Sequence, residues 1–303
     1  MIAISNLPTP PAKAPEPNRI GNVAPAEDKR SAYWGMDTQA TVTAYLKRLR
    51  AIKVQSIVLI LTNLIAAIWF VEVGNLLLYG ICFAFMFGIA LVARVRMGTL
   101  FINLGEVVSQ DCDPARYRAV LDVLAERDRF GRSVNTIAIE RAYCDYLELD
   151  SVGALKRLES VTFKRKDNLR WFRALQIEFL GRIDVGDIES ARDALARLSA
   201  FRQNFKEGSR NRVSADMQVA DYAVLVRPPA ERDAADAARM CERMMLADCH
   251  QQRVNWQLYL AEYELLHGSP EEAARLASDP TLNPVTPRME RLRSEIFAGL
   301  EVH

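Results

Sequence analysis

The run VQSIVLILTNLIAAIWFV, Val54 to Val71, carries no charge, and after Glu72-Val73-Gly74-Asn75 the run LLLYGICFAFMFGIALVA, Leu76 to Ala93, carries none either. At 1.5 Å per residue about 20 residues cross a ~30 Å hydrocarbon core, so each run is long enough to span once its flanks are included. This predicts transmembrane helices over residues 54–73 and 76–95, joined by an external loop at 74–75. Buried helices of a soluble bundle keep a polar stripe, and neither run has one. The first run starts too late, is too long and lacks a small-x-small cleavage site for a signal peptide.

Working outward, Lys47, Arg48, Arg50 and Lys53 precede the first span, Arg94 and Arg96 end the second, and the loop between has no basic residue. The positive-inside rule then places both termini in the cytoplasm. Gly80, Ala84 and Gly88 recur every fourth residue on the second span, and Asn63 lies near the middle of the first. Small faces and polar side chains drive helix association in lipid. These four residues either hold the hairpin together or dock another membrane protein or a second copy.

The composition averages conceal this segregation: over 303 residues, half are apolar, a quarter are charged and the net charge is +1. Five scattered cysteines, Cys82, Cys112, Cys144, Cys241 and Cys249, match neither a disulfide framework nor a CxxC zinc site, and are expected as reduced thiols. Arginine greatly outnumbers lysine among the 39 basic residues, as expected of a GC-rich bacterial genome, and the localisation expected is a bacterial inner membrane.

Six prolines in the first thirty residues and little apolar content predict a disordered tail over residues 1–36. Asp37 or Thr38 caps a juxtamembrane helix over residues 37–53 that runs into the first span. Tyr33 and Trp34 are candidates for the membrane interface.

From residue 98 to 303, apolar residues recur at helical spacing, with turns marked by Asp, Gly and Pro. A shift of 37 residues aligns Gly105, Ala142 and Phe179, then Tyr117, Ala154 and Ala191, then Leu121, Leu158 and Leu195. Turns fall at 110–114, 149–151, 184–187, 227–229 and 267–270, and Pro114 and Pro270 stand where a second helix begins. A terminal helix from Thr286-Pro287 to Leu300 would cover the last unit. With small residues at the helix crossings (Ala142, Ala154, Ala191, Ala261, Ala273) and Gly186 or Gly268 before the turn, the segment Gly105 to Pro280 resembles tetratricopeptide-repeat proteins. That resemblance implies an α-solenoid of about five helical hairpins, with a groove for peptides or partner proteins. The expected fold class is therefore all-α: a two-helix transmembrane hairpin followed by a cytoplasmic tetratricopeptide-repeat-like solenoid.

No phosphate-binding, dinucleotide, HExxH or GxSxG motif is present, so neither enzymatic activity nor a cofactor or metal is expected. The patterned polar feature is basic: Lys164, Arg165, Lys166, Arg170 and Arg173, then Arg202, Lys206, Arg210 and Arg212. These clusters recur near the repeat period and are expected to stack on one edge, facing an acidic partner or the anionic inner leaflet. Each Lys or Arg near such a surface contributes about 1 kcal/mol. Phe163 and Trp171 beside them either insert at the interface or pack in the core. Without a recognised binding module no nucleic-acid partner is expected. The expected role is a membrane-anchored interaction scaffold with an unknown protein partner; the alternative is an accessory subunit of a transporter or secretion complex, docked through its hairpin.

Overall fold

The computed structural model describes residues 30–128, 131, 133–163 and 168–302. The described residues are all-helical, with no strand among them. Helix α1 (Thr38–Glu72) and helix α2 (Leu76–Leu104) are long and apolar enough to cross a membrane.

The first helix starts where its sequence dictates, with the Asp37 carboxylate accepting the Ala40 N–H. It ends in a Schellman turn: Asn75 N–H donates to Phe70 O, Gly74 N–H donates to Val71 O, and Gly74 sits at φ +77°. Asn75 then caps α2 by accepting the Leu78 N–H. The reversal between α1 and α2 is thus specified by the adjacent residues Gly74 and Asn75, which keeps the helices antiparallel and in contact.

The two helices meet along a seam of 3–4 residue spacing. Ile52, Ser56, Ile60, Asn63, Ala67 and Phe70 on α1 are more covered than their neighbours, as are Leu78, Cys82, Met86, Ile89 and Ala93 on α2. This is the period of left-handed coiled-coil packing.

The lower ends of both helices do not stop at the hairpin. Val42 and Tyr45 of α1, and Leu100 and Leu104 of α2, are buried with Tyr33, Val107, Val108, Tyr117 and Leu121 in one core. The stretch 37–53, read from sequence as a juxtamembrane helix that runs into the first span, is the first part of α1 and also belongs to the helical domain's first layer. Tyr33 is fully buried rather than interfacial, while Trp34 remains half-exposed.

Residues 31–36 are a second correction. They are not a loose tail: Ser31 donates from both its N–H (3.0 Å) and its hydroxyl to Asp111, and Arg116 donates to the carbonyls of Tyr33 and Met36. The rest of the predicted disordered tail, residues 1–29, lies outside the described residues.

Short α3 (Glu106–Ser109) leads to α4 (Pro114–Arg127), α5 (Val134–Leu147), α6 (Ser151–Glu159), α7 (Asn168–Asp184), α8 (Ile188–Phe201), α9 (Arg210–Leu225), α10 (Ala234–Met245), α11 (His250–His267), α12 (Pro270–Ala277) and α13 (Pro287–Leu300). Three of the turns share one geometry. Cys112 (φ 52°), Leu149 (φ 70°) and Gly186 (φ 77°) are left-handed, and each is followed by an aspartate whose carboxylate accepts the N–H three residues on. These positions are 37 residues apart, the period read from the sequence. Only Gly186 occupies this conformation without steric cost, and a Cβ there would meet nothing within 4 Å. Gly186→Ala should therefore cost about 1 kcal/mol through backbone strain alone, measured by denaturant unfolding.

Consecutive helices pack as pairs, α5 with α6, α7 with α8, α10 with α11 and α11 with α12, and α13 closes the end against α11 and α12. The row then returns on itself. His250 N–H donates to the Gln110 side chain (3.2 Å), Tyr143 O–H donates to Gln251 (3.1 Å), and the Arg288 guanidinium lies 4.1 Å from the Tyr146 ring centre. The α13 end of the chain thus packs against α5.

Candidate functional site

The outer surface of the hairpin is one candidate. Ile65, Phe83, Phe85, Phe87, Leu76 and Leu77 are each more than 60 % exposed. Over the most apolar window of each long helix, 6 % of the residues are buried. The four predicted packing residues separate here. Asn63 lies on the seam and donates from Nδ2 to the Cys82 carbonyl across the pair (2.7 Å). Gly80 and Gly88 have nothing within 4 Å of a built Cβ, and Gly80 and Ala84 are exposed. The small-residue face thus points away from α1, and the close approach in the hairpin is made instead by Ala67 and Cys82, both buried.

The basic edge divides as well. Lys164, Arg165 and Lys166 lie outside the described residues. Arg202 and Arg212 both grip the one carboxylate of Asp216 (3.0 and 3.1 Å), and Arg212 also donates to Arg202 O, so their two charges are engaged within the chain and halved. The Arg212–Asp216 pairing was legible as an i,i+4 spacing. Arg173 leaves the edge altogether: its guanidinium stacks 4.1 Å from the centre of Tyr143, with Glu140 at 3.9 Å. Lys206, Arg210 and Arg170 remain exposed. Phe163 and Trp171 stack on each other at 5.0 Å, and Trp171 leans on Phe201 at 5.6 Å while staying 41 % exposed.

Arg173 belongs to an inner surface, where α5, α7, α9 and α11 face one another. Burial pushes the Tyr143 hydroxyl up to about 12 despite the nearby Arg173, and Tyr222 and Tyr259 are raised by burial too. Even so, the Arg173 side chain keeps 34 % of its surface open, as expected of a group that lines a water-reachable cleft rather than a dry core.

Helices α7, α9, α11 and α13 also line a cavity of about 340 Å³. Its apolar wall includes Leu180 and Ile183 of α7, Leu225 of α9, and Met289 and Leu292 of α13, with the rings of Tyr146 and Tyr259. Arg227, Arg232, Arg288 and Arg291 reach it, against Glu262 and Glu295. Arg232 is held by the Pro228-Pro229 turn, its side chain 5 % exposed, and pairs with Glu262 at 2.7 Å. Burial raises Glu262 above the ordinary carboxylate value, with Arg232 opposing. Arg288, 13 % exposed, pairs with Asp184 at 2.6 Å.

Neither arginine is fully satisfied. Among the described residues, Arg232 Nε and Arg288 Nη1 are buried without an acceptor, and leaving such a donor unpaired costs about 1–3 kcal/mol. No group of three His, Cys, Asp or Glu among the described residues is placed to hold a metal ion.

The cavity residues had no local sequence signal, because Tyr146, Arg232, Glu262 and Arg288 lie far apart in the chain and meet only once α13 has returned onto α5. The inward face of α7 was more legible, since Arg173, Ile177 and Leu180 follow a 3–4 spacing. No family model, curated protein or solved structure matches this chain.

Proposed function

We propose that the chain is a membrane-anchored interaction scaffold. In this reading α1 and α2 cross a bacterial inner membrane as a hairpin with both termini cytoplasmic. The helices that follow form a tetratricopeptide-repeat-like solenoid that meets a partner protein there.

The observation that carries the reading is the exposure of the hairpin: two helices of high hydropathy, packed only on each other over their apolar windows, leave the rest of their surface bare. A water-soluble protein rarely exposes a contiguous apolar patch beyond several hundred Å². The helix α1 is roughly 50 Å long, so a ~30 Å core leaves its first turns free to join the domain, where Val42 and Tyr45 are buried. The basic residues flanking only the open end support the orientation. The left-handed turns at 112, 149 and 186 with their aspartate caps support the repeat.

Because the helical row folds back on itself, the partner surface in this reading is its outside, including the exposed Lys206 and Arg210, which suit an acidic partner or anionic lipid. No catalysis or cofactor is assigned.

Labelling tests the topology. A cysteine at Asn75 should react with an impermeant maleimide from outside intact spheroplasted cells, and a cysteine at Glu207 only after lysis. Equal labelling of both before lysis would overturn it.

One observation favours docking through the hairpin as a second reading: Gly80, Ala84 and Gly88 face outward. Since a Cβ at Gly80 or Gly88 meets open space, Gly80→Leu with Gly88→Leu should leave the hairpin and its thermal stability unchanged. If the hairpin docks a partner, a complex purified in mild detergent should be lost. Retention of the partner points instead to the helical domain.

A further inference from the structure

We infer that a groove between the external halves of α1 and α2 seats one phospholipid of the outer leaflet whose headgroup ends in an ammonium. The inference rests on the membrane reading and gives the hairpin a ligand of its own.

The groove has a volume of about 280 Å³. Leu64 of α1 and Phe83 and Met86 of α2 wall it, and the small Ala67, buried on the seam, leaves it hollow. Glu72 and Tyr79 line it toward the loop. From Leu64 to Glu72 it follows α1 for about 12 Å at 1.5 Å per residue. One leaflet of a ~30 Å core is about 15 Å deep, so the groove runs along most of one acyl chain. A transmembrane helix, about 10 Å across with its side chains, is too wide to enter it.

Charge selects the headgroup. Glu72 is the one charged residue between Val54 and Ala93, and it stands exposed at the last position of α1. Lys53 and Arg94 lie at the opposite end of the hairpin, about 28 Å away along α1, and no described residue forms an ion pair with Glu72. Its carboxylate therefore has acceptor capacity that the chain does not use, at the mouth of an apolar groove. An ammonium headgroup supplies charge-assisted N–H donors at that level while the acyl chain fills the groove below. Tyr79, one turn into α2, is a residue type that favours the same headgroup depth.

Native mass spectrometry of the full chain in detergent, given equal amounts of phosphatidylethanolamine, phosphatidylglycerol and diacylglycerol with the same acyl chains, tests the site. One phosphatidylethanolamine should be retained about fivefold over either of the others, the scale of a single ion pair near the surface. Its lead over the uncharged diacylglycerol separates attraction from simple repulsion of the anionic lipid. Glu72→Gln should remove most of that lead, whereas Glu301→Gln, which removes an exposed acid at the far end of the chain, should preserve it. Leu64→Trp should fill the groove and lower retention of phosphatidylethanolamine, with helicity unchanged by circular dichroism. Equal retention of the three lipids, retention of none, or an undiminished lead in Glu72→Gln would each overturn the inference, as would wild-type retention in folded Leu64→Trp. Alkaline carbonate extraction of cell membranes reads the membrane assignment separately. A chain that washes out overturns both readings, and a chain that stays in the membrane without a lipid preference overturns this one alone.

Discussion

Asp111→Ala should destabilise the protein by about 3–5 kcal/mol and release residues 31–36 from the domain. Asp111 is 3 % exposed and accepts three donors: the Ser31 N–H, the Ser31 hydroxyl and Arg116 Nη2 at 2.7 Å. Arg116 is itself 11 % exposed and uses its other N–H groups on Tyr33 O and Met36 O. Removing the carboxylate leaves the buried guanidinium with only Asp113, 3.3 Å from its Nε and 41 % exposed, as counter-charge, and cuts the segment that carries Tyr33 into the core. The neighbouring Asp113 provides the control. It caps α4, its side chain is 41 % exposed, and its loss should cost about 1 kcal/mol, the ordinary value of an N-cap. Urea unfolding in micelles, with amide exchange read over residues 31–45, distinguishes them. Equal costs for the two variants would show that Asp111 does not hold residues 31–36 to the domain.

Asp184→Ala should cost a similar amount, about 3–5 kcal/mol, by a different route. Asp184 ends α7 and receives Arg288 from α13 at 2.6 Å and the Ser151 hydroxyl from α6, so one carboxylate ties together three helices. With side chains 13 % and 8 % exposed, the Arg288–Asp184 pair cannot exchange its partner for bulk water. Truncation should free α13 first, seen as faster amide exchange over 287–300 while α1 and α2 stay protected.

The same residue sets an acid response. Burial alone would raise the Asp184 carboxyl, but the hydrogen bonds from Arg288 and Ser151 and the Arg288 charge more than offset it, and the folded value lies below the ordinary one. A depressed carboxyl contributes stability that is present above the unfolded value, about 3.9, and is lost as pH falls through the folded value. Stability should therefore drop below about pH 4 in the wild type, and part of that drop should vanish in Asp184→Ala. A parallel acid profile in both proteins would contradict the assignment.

The turns show how far local sequence reaches. Asp113, Asp150 and Asp187 cap their helices through bonds to residues three positions on, and Gly74 and Gly186 supply the left-handed turn residue; all are short-range effects that a linear reading can find. Leu149 and Cys112 adopt the same left-handed turn without being glycine, so composition alone would not mark them. The basic clusters failed for the converse reason. Asp216 reaches Arg202 across a turn, and Arg173 turns inward onto Tyr143, so a count of charges along the chain overstated the free positive edge.

By itself the sequence determined the helical character of the described residues, two helices apolar and long enough to span a membrane, and several of the turns and helix caps. Those depend on hydropathy, helical period and capping, which act over a few residues. Tertiary structure alone decided that α1 and α2 extend into the domain core, that Gly80 and Ala84 face outward, and that α13 returns to α5. It also assembled the cavity from Tyr146, Arg232, Glu262 and Arg288. Each of those outcomes depends on which faces remain uncovered once every helix has packed, and on buried charges finding partners far away in the chain. No short window of sequence contains that information.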